Sequence, residues 1–118
     1  MAHYLCPSEE VRERDTGFPF RVLKAGRIWP AFVIRFDGEV EGYLNACAHV
    51  GLRLEGGSGQ FFSRDQQHLV CTSHGATYKP DTGLCVDGPC IGLFLISLNT
   101  FEHGGAIYFE DEEYQYHE

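Results

Sequence analysis

Long apolar runs are missing from this chain: the longest, Ile91 to Leu98, is interrupted by Gly92 and Ser97 and is far too short to span a bilayer. No basic-then-apolar segment opens the sequence, so secretion and membrane anchoring are not expected. Basic residues are scarce, with 9 Lys and Arg against 17 Asp and Glu and a formal net charge of −8. That balance makes phosphate backbones and anionic lipid surfaces poor partners. Repeats, linkers and low-complexity segments are absent, so the 118 residues read as one domain able to bury a core. Five cysteines, an odd number, do not suggest a disulfide framework, and a reducing cytoplasm is the simpler setting.

What the sequence does carry is a pair of matched ligand segments. Cys47-Ala48-His49 is followed, after twenty-one residues, by Cys71-Thr72-Ser73-His74. Each offers one thiolate and one imidazole, donors that suit iron, zinc and copper. Two Cys and two His can hold one zinc ion or an iron-sulfur cluster. Zinc fingers usually present Cys-Cys and His-His pairs, whereas both loops here are mixed, an arrangement that places each loop's Cys and His on different irons. The competing reading is a zinc site, or buried Cys and surface His met by chance.

Cys-x-His-x-Gly (Cys47, His49, Gly51) and Cys-x-x-His-Gly (Cys71, His74, Gly75) together resemble the signature of the Rieske family. Leu54-Glu55-Gly56-Gly57, Tyr78, Asp81-Thr82-Gly83 and Gly88-Pro89 extend the resemblance over roughly Trp29 to Leu98. It implies one 2Fe-2S cluster, with Cys47 and Cys71 on one iron and His49 and His74 on the other. Around it the resemblance implies an outer group of Gly51, Gly75, Ala76, Tyr78, Gly88 and Pro89, the Gly-Pro segment covering one side. Cytochrome-bc-type members carry a loop disulfide at positions held here by Leu52 and Ser73, so the likeness is to the ferredoxin branch. A serine hydroxyl of that other branch is replaced by Ala76, whereas Tyr78 is either a donor to a cysteine sulfur or a plain strand aromatic.

The rest of the chain reads as all-β. Met1 to Gly17 is expected to be irregular apart from one turn at Ser8-Glu9-Glu10-Val11. Phe18 to Leu23 is a short edge strand, because Pro19 cannot donate to a central ladder. Ile28 to Phe36, with Phe32, Ile34 and Phe36 on one face, returns through the Asp37-Gly38 turn into Val40 to Asn45. Glu55 to Gln67 is a loop with one short strand at most. His68 to Val70 and Ala76 to Tyr78 flank the second ligand loop, which is thus a hairpin tip. Leu84 to Val86, Phe94 to Leu98 and Ala106 to Phe109 follow, the last two expected to pair around His103-Gly104-Gly105. The expected architecture is a single Rieske-like antiparallel sandwich or barrel over residues 1–118. A lobe at 44–92, made of two hairpin loops, is inserted in a basal sheet of 18–43 and 93–110.

Charge is concentrated at the end, where Glu110, Asp111, Glu112, Glu113 and Glu118 leave 12 acids against 9 bases in residues 1–109. The acidic tail at 110–118 is a solvated end, or a steering element for a basic partner. Cys85 and Cys90 flank Val86-Asp87-Gly88-Pro89 and are read first as buried space-fillers, with a redox pair as the alternative. Cys6 is taken as incidental, and His3, His68, His103 and His117 as ordinary surface or turn residues.

The resemblance implies a one-electron carrier without catalysis of its own, fed by a reductase and passing electrons to a terminal oxygenase or similar acceptor. His49 and His74 are its expected electron exit. Two ferric ions, two sulfides and two thiolates sum to zero charge, and imidazole ligation places such centres at about −150 to +300 mV, above all-cysteine ferredoxins at about −400 mV. The alternative is a small redox or regulatory subunit of a larger reductase, in the manner of nitrite reductase small subunits.

Overall fold

The computed structural model describes residues 2–48, 54, 59–72 and 75–118. Its strands are β1 (His3–Pro7), β2 (Phe18–Lys24), β3 (Arg27–Phe36), β4 (Glu39–Leu44), β5 (Leu69–Val70) and β6 (Thr77–Tyr78). There follow β7 (Cys85–Asp87), β8 (Ser97–Leu98), β9 (Thr100–His103), β10 (Ala106–Phe109) and β11 (Gln115–His117), with one 3-10 turn at Ser8–Glu10. The all-β expectation holds. Three antiparallel sheets form, with strand orders β11-β2-β3-β4-β8, β1-β10-β9 and β5-β6-β7.

β3 is the hinge of the architecture. Ala31 to Ile34 are all buried, and their alternation sends side chains into two different cores. Phe32 and Ile34 join a cluster with Tyr43, Leu54, Phe61, Tyr78 and both predicted cysteine ligands. Ala31 and Val33 join Cys6, Phe20, Val22, Leu98, Ile107 and Phe109. The five-stranded sheet is therefore covered on both faces, by the three-stranded sheet on one side and by the ligand lobe on the other. The β3–β4 hairpin turns where the sequence places it, with Asp37 and Gly38 both at positive φ (53° and 82°), the pairing of conformations a two-residue type I′ turn needs. Glu13 caps that turn, its carboxylate accepting from the Asp37 and Gly38 N–H groups at 2.6 and 2.8 Å.

Four expectations are corrected by long-range pairing. The N-terminal arm is not irregular: His3–Pro7 pairs with β10, a partner a hundred residues away that no local pattern announces. Cys6 on that strand is 3% exposed and belongs to the core, where burial lifts its thiol to about 11. β2 is not an edge strand, yet β11 covers only Arg21 to Leu23, so Pro19 lies beyond the reach of that neighbour and deprives the ladder of nothing there. The segment Phe94 to Leu98 does not pair with Ala106–Phe109. β8 instead pairs with β4, and the chain inserts an additional strand, β9, to make the hairpin with β10.

The acidic end is also more than a solvated tail. Tyr114 is 7% exposed, Asp111 caps its own turn by accepting from the Glu113 and Tyr114 N–H groups, and Lys24 pairs with Glu113 at 2.9 Å. β11 then joins the sheet, Tyr116 stacks on His3 with centroids 3.6 Å apart, and Arg21 donates to the Glu118 carbonyl. Among the described residues no helix is long and apolar enough to cross a membrane.

Candidate metal centre

The described ends of two connecting segments come together in one core. The first follows β4, which delivers the chain through Asn45 to Cys47. The second is the tip of the β5–β6 hairpin, closed by the Cys71 N–H to the Ala76 carbonyl and by the Gly75 N–H to the Cys71 carbonyl, both at 2.8 Å. The two loops are tied together at Leu54. Its N–H donates to Asn45 Oδ1 at 2.8 Å, and its carbonyl accepts from the Thr72 N–H at 2.8 Å and from Thr72 Oγ1 at 3.0 Å. Asn45 is the only buried polar residue among those described, and this bond satisfies its buried carbonyl oxygen.

Cys47 and Cys71 are brought into one core, 2% and 0% exposed, in company with Leu54, Ala76, Tyr78, Cys85 and Cys90. Buried thiol sulfurs beside a hydrogen-bond donor fit thiolate ligation of iron, because soft donors are shielded there and their negative charge has a partner. That donor is Tyr78. Its Oη lies 3.2 Å from Cys47 Sγ, accepts from the Ala48 N–H at 3.0 Å, and lies 3.4 Å from Cys90 Sγ. Burial pushes the phenol well above its ordinary range, and the bond to Cys47 pushes it further, so it remains protonated. Cys90 Sγ in turn lies 3.2 Å from Cys85 Sγ, and burial raises the Cys90 thiol.

Gly88 explains why a glycine follows β7. It has φ +95°, and a Cβ there would stand 2.8 Å from the Ala76 Cα and 3.1 Å from the Gly75 carbonyl oxygen, so its backbone packs directly on the second loop. Pro89 beside it is exposed. Ala76 is fully buried under this contact, and Gly75 supplies positive φ (74°) at the loop's end.

Of the sequence-predicted residues, the structure thus brings together Cys47, Cys71, Gly75, Ala76, Tyr78 and Gly88. His49, Gly51 and His74 lie outside the described residues, and among the described residues no group of three or more His, Cys, Asp or Glu forms a metal site. Asn45 and Thr72 escaped sequence reasoning. The one signal for Asn45 was an asparagine at a strand end, a position that favours local hydrogen bonding but names no partner.

The model of the Rieske [2Fe-2S] domain matches residues 1–102. Nothing matches among curated proteins. Solved structures resemble the fold. The ferredoxin of carbazole 1,9a-dioxygenase from Nocardioides aromaticivorans IC177 has a TM-score of 0.71 at 17% identity, covering 95% of this chain and 99% of that one. The terminal oxygenase of carbazole 1,9a-dioxygenase from the same organism has a TM-score of 0.69 at 25% identity, covering 95% of this chain and 31% of that one. A chain from the reduced complex between oxygenase and ferredoxin in carbazole 1,9a-dioxygenase has a TM-score of 0.70 at 22% identity, covering 92% of this chain and 27% of that one. The first solved chains it matches are thus much longer than itself, the sequence spanning less than a third of each.

Proposed function

The chain belongs to the Rieske [2Fe-2S] domain family, and from that footing we propose that it is a one-electron carrier, taking electrons from a reductase and passing them to a terminal oxygenase or similar acceptor. The observation that carries the reading is the pair of buried cysteines, Cys47 and Cys71, on two loops laced through Leu54, with the Tyr78 hydroxyl 3.2 Å from the Cys47 sulfur. Cys47 and Cys71 would hold one iron of the cluster, and His49 and His74 the other. Bound there, a 2Fe-2S cluster supplies reversible one-electron chemistry at a potential raised by imidazole ligation.

The chain's own residues do the rest. Leu54 and Thr72 keep the two loops in register, Gly88 closes over the second, and Tyr78 holds its proton toward the Cys47 sulfur. No substrate chemistry of its own is assigned to the chain, which acts as a component of a multicomponent oxidoreductase. A protein partner suits the surface as well: Ile91, Leu93, Phe94 and Ile96 are half or more exposed, on a segment whose Leu93 carbonyl bonds the Cys85 N–H of the lobe. Exposed apolar side chains, where they gather into one patch, mark surfaces that other proteins cover.

The test is compositional. Purified protein should contain two irons and two labile sulfides per chain, with nitrogen coordination seen by electron-nuclear spectroscopy. One zinc ion and no labile sulfide would overturn the assignment.

A further inference from the structure

We propose that Cys85 and Cys90 form a dithiol site whose closure to a disulfide withdraws a hydrogen-bond donor from Tyr78 and so lowers the potential of the centre held through Cys47. The inference rests on the cluster reading given above. It starts from proton bookkeeping around one phenol oxygen. A thiolate bound to iron accepts hydrogen bonds and has no proton to give, so the contact between Tyr78 Oη and Cys47 Sγ at 3.2 Å must be donated by the phenol. The phenol oxygen is then an acceptor. The Ala48 N–H takes one of its lone pairs at 3.0 Å, and the sulfur of Cys90, 3.4 Å away, faces the other.

Cys85 spends its own S–H on the Asp87 carbonyl at 3.2 Å. The single proton of Cys90 is left to serve two acceptors, Tyr78 Oη and Cys85 Sγ, the latter 3.2 Å away. When Cys90 donates to Tyr78 it polarises the phenol and strengthens the bond the phenol gives to Cys47, since hydrogen bonds in a chain reinforce one another by about 10–30% each. A donor aimed at a ligand sulfur favours the reduced, more negative state of the centre. The Cys90 thiol is thus a positioning group acting on the centre through Tyr78.

The same pair of thiols is placed to react. Both are buried, at 1% and 3% exposure, and their sulfurs need to approach by little more than an ångström to reach the bonded distance of about 2.04 Å. The four residues between them, Val86 to Pro89, are all exposed, so a local opening of this short segment admits a small reagent. With a low-molecular-weight disulfide as the oxidant, one cysteine thiolate attacks a sulfur of the reagent and releases one small thiol. The second cysteine then attacks the mixed disulfide and releases the other. One S–S bond breaks and one forms, two electrons pass to the reagent, and the two cysteine protons end on the released thiols. The closed disulfide has no S–H, and Tyr78 loses that donor.

Holoprotein treated with dithiothreitol, and holoprotein equilibrated with oxidised glutathione, are compared by voltammetry; a Cys85–Cys90 bridge is read by peptide mass after alkylation, and iron and sulfide are assayed in each sample. Bridging should lower the one-electron equilibrium roughly two- to fourfold, which is about 18–36 mV on the scale of 59 mV per tenfold change. Cys90→Ala should sit at the bridged value under both conditions, and Cys90→Ser, which keeps a donor, near the dithiol value. Cys85→Ala, which leaves the Cys90 proton to Tyr78 alone, should sit at or above the dithiol value and lose the response. The proposal is overturned if no bridge forms at any glutathione ratio, if a bridge forms without a change in potential, or if Cys90→Ala matches the dithiol wild type. Failure of the underlying cluster reading would appear separately, as absent iron and sulfide with the bridge still readable by mass.

Discussion

At the scale of a residue, Tyr78 does two things with one hydroxyl. It lies 3.2 Å from the Cys47 sulfur, to which it would donate once that sulfur is a ligand thiolate, and it accepts from the Ala48 N–H, so its removal should be felt in two measurements. Tyr78→Phe takes away a donor to a charged group worth about 1.5–3 kcal/mol. At about 59 mV per 1.4 kcal/mol, that caps the fall in potential at roughly 60–130 mV, and the bond present in both redox states reduces it to tens of millivolts. The same substitution strands the half-buried Ala48 N–H and should cost about 1–3 kcal/mol of stability, readable from the denaturant midpoint. Ala76→Ser tests the opposite direction by adding a hydroxyl to the second loop, with an expected rise of tens of millivolts by voltammetry. Because Ala76 is fully buried against Gly88, no rise would mean that the packing at this position turns the new hydroxyl away from the sulfurs.

The element that departs furthest from its expected part is the C-terminal end. A solvated acidic tail would be removable at little cost. Here residues 110–118 contain Tyr114, buried in the core cluster with Phe20 and Phe109, and β11, hydrogen-bonded to Arg21, Val22 and Leu23. Deleting the segment should therefore lower stability by at least about 3 kcal/mol, the usual loss for emptying a buried aromatic site, and thermal unfolding would show it. The steering reading calls for a gentler variant. Neutralising the exposed Glu112 and Glu113 should slow electron transfer to a basic partner at low salt only, since such charges are screened beyond about 8 Å at physiological ionic strength. An equal rate at low salt would leave the acidic run a purely structural one.

Across the whole molecule, Arg35 joins parts that are far apart in sequence. It leaves β3 to donate to the Val11 carbonyl at 2.8 Å and the Gly38 carbonyl at 3.0 Å, and it grips Glu102 of β9 through two bonds of 2.9 and 2.6 Å. The five-stranded sheet, the N-terminal arm and the three-stranded sheet meet at this guanidinium. Its hydrogen bonds pull the Glu102 carboxyl from 4.5 down to about 2. A carboxyl depressed in the fold adds stability above its unfolded value and loses it as pH falls through the folded one. The contribution of Glu102 is thus complete at neutral pH and fades between about 4.5 and about 2. Glu102→Gln should be less stable than wild type by about 1 kcal/mol at most at neutral pH, given the partial exposure of the pair, and the difference should close toward pH 2. Denaturant titrations across that range measure it.

What the sequence determined by itself is whatever a few neighbouring residues can specify. The spacing of Cys47 with His49 and of Cys71 with His74 carries the resemblance to the Rieske signature, because such motifs are written in a few neighbouring residues. Asp37-Gly38 fixes its hairpin because two adjacent residues adopt positive φ, and alternation along β3 marks a strand buried on Phe32 and Ile34. Tertiary structure decided the rest. That β1 pairs with β10 and β8 with β4 depends on which edge is vacant after the other strands have docked, and no window of residues contains that information. The tie from Asn45 through Leu54 to Thr72, and the line from Cys85 through Cys90 and Tyr78 to Cys47, exist only once separate loops are folded into one lobe. Side-chain contacts of that range are products of register and burial, and it is these contacts that bring a legible pair of cysteines into one core.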